Sequence, residues 1–153
     1  MDTSARLAAI EAIRQLKARY FRGVDMGDGA LVRSILAEDC VLDYMGCCTD
    51  PVSGEDFMPA MNVVLKGRDA WKADAFEGPR IVTVHQGNDP DITIESPSAA
   101  SGIWSFTDRF FLPPGGPYTR LVGWGRYYET YENKGDGWKL KTTRIERIRV
   151  EVS

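Results

Sequence analysis

From Ser4 to Val24 apolar residues recur at steps of three and four, as Leu7, Ile10, Ile13, Leu16, Tyr20, Phe21 and Val24. That period predicts an amphipathic helix of about five turns, with Thr3 or Ser4 as its cap. Gly23 and Gly27 weaken its end, and Asp28 is placed to cap a shorter helix through Leu31, Ile35 and Leu36. Cys40 to Tyr44 has the pattern of a short strand. Met45 to Gly67 is a long connection rich in turn residues, whose Phe57, Met58 and Met61 suit an apolar lid or a loop packed on the surface. A third short helix is expected over Arg68 to Glu77, anchored by Trp71 and Phe76.

After that the period changes to two. Strands are predicted over Ile81 to Gln86, Asp91 to Glu95, Ala99 to Leu112, Thr119 to Glu132 and Trp138 to Val152. Pro113 to Pro117 and Asn133 to Gly137 carry the turn residues of two hairpins. Helices first and strands afterwards give an α+β domain, three helices on a mostly antiparallel sheet. On the longest strand Gly102, Trp104, Phe106, Asp108, Phe110 and Leu112 share one face. Asp108 is thus expected on an apolar side, where an ionised carboxylate needs a partner or a function; a structural network or a bulge that turns it outward is the plainer alternative. The same alternation puts Arg144 on the apolar side of the last strand, with a surface pair to Glu146 at a bulge as its alternative.

Composition narrows the class. At 153 residues, 43% hydrophobic and 27% charged, the chain is sized for one folded domain, residues 1–153. A net charge of -3 and a pI near 5.2 argue against nucleic acid as a partner. No basic leader with an apolar core opens the chain, so a cytoplasmic location is the default expectation. Three cysteines, two of them adjacent at Cys47 and Cys48, make a poor disulfide framework, and free thiols are expected. No metal spacing or cofactor motif is present; Gly123-Trp124-Gly125 lies within a strand pattern, not before a helix.

Candidate chemistry centres on His85, the one histidine of the chain, at a predicted strand end where a side chain can face a cavity. A structural histidine is the bland alternative. Asp25 falls at the end of the first helix, where the helix dipole would push its carboxyl pKa upward; an exposed turn residue beside Gly23 and Gly27 is the commoner alternative. Tyr20 lies on the apolar stripe, and its hydroxyl would need a buried partner; a plain core tyrosine is the alternative.

The chain resembles the SnoaL-like branch of the NTF2-like superfamily, a cone-shaped α+β fold. The likeness rests on Leu16 to Asp25, Asp39 to Tyr44, Thr83-Val84-His85-Gln86-Gly87, Ala99 to Trp104, Gly125-Arg126-Tyr127-Tyr128-Glu129 and Asp136 to Leu140. It is nearest to the bile-acid dehydratase and scytalone dehydratase type. That resemblance implies a catalytic set of Tyr20, Asp25, His85 and Asp108, with Arg144 or Arg147 as the C-terminal arginine. His85 would be oriented by Asp108, and Tyr44, Trp104, Phe106 and Phe110 would line the substrate space. Many members carry two consecutive histidines where this chain has His85-Gln86. A cofactor-independent lyase acting on a hydrophobic ring-containing molecule is expected, with dehydration as the leading reaction. A double-bond isomerase and a non-catalytic ligand-binding or oxygenase-subunit role are the alternatives. The resemblance also implies homodimerisation through the outer sheet face, with neither nucleic acid nor membrane as partner.

Overall fold

The computed structural model describes residues 1–72 and 81–153. Helix α1 spans Thr3–Met26 and α2 spans Gly29–Ile35. The cap of α1 is Asp2, whose carboxylate accepts from the Ala5 amide at 2.8 Å, just ahead of the predicted Thr3 or Ser4. Gly27, at a φ of 66°, ends the helix, and the Asp28 carboxylate accepts from the Leu31 amide at 2.9 Å to start the next. Gly23 lets the two helices touch, since a Cβ there would lie 2.7 Å from Val32. Helix α1 continues two residues past the predicted end, so Asp25 belongs to its last turn.

Six strands follow among the described residues: β1 (Leu36–Asp43), β2 (Val64–Lys66), β3 (Val82–Ser96), β4 (Ala99–Phe111), β5 (Arg120–Asn133) and β6 (Trp138–Val152). Their order in the sheet is β2-β1-β6-β5-β4-β3, antiparallel throughout except for the parallel pair β1 and β6. The two predicted strands over 81–95 are one strand, β3, interrupted by a bulge between Asn88 and Asp91, where Asp89 has a φ of 44°. β3 is an edge strand, so Pro90 removes no ladder bond that a second neighbour would need.

Two expectations in the middle of the chain are corrected. The described part of the predicted third helix is only a 3-10 turn over Arg68–Ala70; Phe76 and Glu77 lie outside the described residues. Two α-helices are therefore found among the described residues. Met45 to Gly67 is structured in part, with a Thr49 to Asp56 bridge, a 3-10 turn at Pro59–Met61 and the strand β2. The Tyr118 hydroxyl donates to the Phe57 carbonyl, fastening this connection to the hairpin between β4 and β5.

The inward face of β6 departs from simple alternation for a definite reason. Its register against β5 shifts once between Leu140 and Thr142 and again between Arg147 and Arg149. Each extra residue inverts the phase of the side chains beyond it. Leu140 is buried, then Thr143, Ile145 and Arg147, then Val150. Between the bulges the odd residues face inward, and Arg144 is turned out.

Helix α1 lies against the sheet's inner face. Its stripe of Ile13, Leu16 and Tyr20 joins a core of Leu36, Leu42, Trp104, Phe106, Leu121, Tyr127 and Leu140. Among the described residues no helix is long and apolar enough to cross a membrane. One charged residue of α1 enters the core. Lys17 is fully buried, with Nζ 2.6 Å from Glu129 Oε1 and 3.5 Å from the centroid of the Tyr127 ring. Glu129 also accepts from Tyr131 at 2.5 Å and from Thr143 at 3.0 Å. Burial drives the Lys17 pKa down, opposed by its charge and hydrogen-bond interactions with Glu129.

Such a pair locks α1 to β5 while contributing little net stability, because two ions have been desolvated. Lys17→Met is expected to cost about 3–5 kcal/mol by stranding the Glu129 charge. Adding Glu129→Gln, whose amide can accept from one of the Tyr131 and Thr143 hydroxyls and donate to the other, is expected to recover most of that loss. Urea unfolding of both single variants and the double variant measures the coupling; independent, additive costs would contradict it.

Candidate active site

The last turn of α1 and the first half of β3 meet through one carboxylate. Asp25 Oδ1 accepts from His85 Nδ1 at 2.6 Å and from the Thr83 hydroxyl at 2.9 Å, and Oδ2 accepts from the His85 backbone amide at 2.9 Å. Burial pushes the Asp25 carboxyl pKa up, but the hydrogen bonds from the His85 ring and amide and from Thr83 outweigh it and hold the group below its usual value. The helix-dipole expectation of a raised value is thus reversed. Because an ionised carboxylate only accepts, Nδ1 carries the proton, and in the neutral form of the ring the lone pair is on Nε2. The orienting carboxylate of His85 is Asp25, not the expected Asp108.

Asp108 stands on the other side of the ring. His85 and Asp108 are direct cross-strand partners in the β3–β4 register, which puts both on the inner face. Nε2 lies 3.8 Å from Asp108 Oδ2, beyond hydrogen-bond distance. Asp108, only 2% exposed, is held in a two-pronged pair by Arg147, with both N–O distances 2.8 Å. Arg147 Nε donates to the Cys47 carbonyl at 2.5 Å, and its guanidinium lies 4.9 Å from the Phe106 ring centroid. The bulges of β6 bring Arg147 here. Arg144 instead pairs with Glu146 at 3.2 Å on the exposed face and stacks over Tyr128. Of the two arginines considered from sequence, the structure brings Arg147 to the histidine.

The remaining candidates divide. Phe110 packs 5.9 Å from His85, and Phe21 is stacked on the imidazole at 6.0 Å with an interplanar angle of 13°. Tyr20 is edge-on to Phe21 at 5.7 Å, and its hydroxyl bonds that of Tyr44 at 2.7 Å. Burial, the largest influence on both phenols, raises their pKa values, so both are hydrogen-bonding hydroxyls at neutral pH. Phe106 packs on Tyr127 at 4.3 Å. Trp104 belongs elsewhere: its Nε1 donates to Tyr131 at 2.8 Å, within the network around Glu129 and Lys17. All three cysteines are free thiols, with the Cys47 and Cys48 sulfurs 3.8 Å apart. Among the described residues no group of three or more His, Cys, Asp or Glu side chains is arranged to hold a metal ion.

Residues 5–144 match the model of the SnoaL-like domain. The chain belongs to the SnoaL-like family. Solved structures agree on an NTF2-like fold. A putative scytalone dehydratase from Novosphingobium aromaticivorans superposes with a TM-score of 0.76 at 19% identity, over 99% of this chain and 92% of that one. A hexachlorocyclohexane dehydrochlorinase from Novosphingobium barchaimii gives 0.75 at 19% identity, over 99% and 94%. An NTF2-like superfamily protein from Salmonella enterica gives 0.69 at 13% identity, over 93% and 92%.

Several residues that shape the site of this SnoaL-like domain escaped the sequence patterns. Gly87 has no side chain because Phe21 occupies the space: a Cβ there would lie 2.4 Å from the Phe21 ring. Gly123 makes room for the charge pair, since a Cβ would lie 2.3 Å from Arg147 Nη1 and 2.6 Å from Asp108 Oδ1. Both glycines sit at inward positions of strands, a pattern that marks close approach of another group. For Thr83 the available signal is its place two residues from His85 on the same face of the strand.

Gly123→Ala is expected to break the Asp108–Arg147 pair and to cost about 3 kcal/mol or more in urea unfolding. Gly116→Ala, in the open turn where Cβ meets only the Tyr118 carbonyl at 3.7 Å, is the control and should change stability little. Asp25→Asn tests the lowered carboxyl. The folded value lies below the unfolded one of about 3.9, so the wild-type advantage over the variant is present above that pH. It should shrink as pH falls through the folded value. Unfolding of both proteins at pH 7 and at pH 3 measures this, and an advantage that grows in acid would contradict it.

Proposed function

We propose that this SnoaL-like protein is a cofactor-independent lyase that removes water from a hydrophobic, ring-containing small molecule by acid/base catalysis. The observation that carries this reading is the 2.6 Å bond from His85 Nδ1 to Asp25, which leaves Nε2 as a base on the inner face beside Phe110. Two of the structural neighbours bear the names of a dehydratase and a dehydrochlorinase. Both names denote elimination, in which a proton and a leaving group depart from adjacent carbons.

In the proposed reaction Nε2 takes a proton from the carbon beside a carbonyl. The C–H electron pair becomes the new carbon–carbon double bond as the neighbouring C–O bond breaks. The departing hydroxyl takes the proton from the imidazolium and leaves as water, so the enzyme returns to its starting state. Asp25 balances the positive charge on the ring at Nδ1, and Asp108 faces Nε2 from 3.8 Å. Arg147 keeps Asp108 from collapsing onto the imidazole by holding both of its oxygens. Tyr20 and Tyr44 supply hydroxyls that can bind the carbonyl oxygen on which charge develops.

The test is turnover of a panel of cyclic β-hydroxy ketones followed by mass spectrometry. A product lighter by one water is expected, and His85→Ala is expected to lower kcat by about a hundredfold or more. Product of unchanged mass would instead mean isomerisation. Turnover reduced less than about tenfold in a folded His85→Ala variant would remove His85 from the chemistry.

A further inference from the structure

Trp71 ends the 3-10 turn over Arg68–Ala70 and is only 8% exposed. Its Nε1 is the one buried side-chain nitrogen or oxygen without a hydrogen-bond partner among the described residues. The contrast with the other buried indole is direct, because Trp104 Nε1 is satisfied by the Tyr131 hydroxyl at 2.8 Å. An unpaired buried donor costs roughly 1–3 kcal/mol, and folded proteins rarely leave one without a use.

The position of this donor is fixed from several sides. Its own backbone carbonyl accepts from Arg33 of α2 at 2.9 Å. Its ring stands edge-on to Tyr20 at 6.2 Å and to Tyr44 at 6.1 Å. Those two tyrosines share a 2.7 Å hydrogen bond that consumes one of their two hydroxyl protons. From Tyr20 the ring contacts continue to Phe21 and from Phe21 to His85. An unbroken series of ring contacts thus joins the indole to the imidazole.

We propose that Trp71 is a ligand-binding residue, whose indole N–H donates to a carbonyl oxygen on the ring compound held against Tyr20 and Tyr44. This rests on the ring-compound reading given under Proposed function, which already requires a carbonyl, and adds the donor that selects for it. An indole N–H can only donate, so the ligand atom must be an acceptor. The buried cations Lys17 and Arg147 are each matched by a carboxylate, Glu129 and Asp108, which favours an uncharged acceptor over an anion. Trp71 is then a specificity-determining residue: a ring with the oxygen satisfies the donor, and one without it leaves the donor stranded.

Two probes of nearly equal shape separate the possibilities, the bicyclic ketone 2-tetralone and the hydrocarbon tetralin. In proton–nitrogen NMR spectra of the wild-type protein, the Trp71 indole signal is expected to move with 2-tetralone and to stay nearly still with tetralin. Trp71→Phe should weaken 2-tetralone about 5- to 10-fold and tetralin less than about 2-fold. The wild-type signal, assigned through bonds, decides the matter even if the variant fails to fold. If 2-tetralone binds and the indole signal does not move, or if the variant weakens both probes alike, the role of Trp71 is overturned and the apolar-ring reading stands. If neither probe binds, both are overturned.

Discussion

The contact between Asp25 and His85 ties two distant parts of the chain together. One carboxylate receives three donors, two of them from the same residue, so the last turn of α1 and the edge strand β3 are fixed to one another at the imidazole. An edge strand lacks a neighbour on one side, and its ladder alone would leave it free to shift. The carboxylate supplies the missing constraint and in doing so settles which ring nitrogen keeps its lone pair. Phe21 completes the arrangement, stacked on the ring in space that Gly87 leaves empty.

Around this contact the interior holds more charge than an apolar core tolerates cheaply. Lys17 with Glu129 and Arg147 with Asp108 are both buried, and each pair is drawn from two elements that must be in register for it to form. Their net contribution to stability is small, but an error in either register strands an ion, which is strongly unfavourable. The pairs therefore act chiefly on specificity of the fold. Arg147 is also joined to the carbonyl of Cys47, so the segment after β1 is linked to the same site.

The sequence showed the site unevenly, and the reasons are physical. Alternation along β4 was enough to put Asp108 inside, because β4 pairs with β5 without a register shift. Alternation along β6 failed, because two shifts invert its phase over Thr143 to Arg147. A bulge is a relation between two strands and leaves little mark on either one alone. The helical period puts Asp25 at the helix end, where it lies, but does not reveal its environment: the helix dipole is a weak and general effect, whereas three nearby donors are strong and local. Lys17 was invisible for a similar reason, since its partner lies 112 residues away in the chain.

The central claim is that Asp25 fixes His85 with its proton on Nδ1 and its lone pair on Nε2. With one histidine in the chain, the nitrogen NMR spectrum of the imidazole contains a single ring and needs no assignment. At a pH where the ring is neutral, the account predicts a protonated signal for Nδ1 and an unprotonated one for Nε2, with this preference lost in Asp25→Asn. A ring protonated on Nε2, or one averaging freely between the two forms in the wild-type protein, would contradict it.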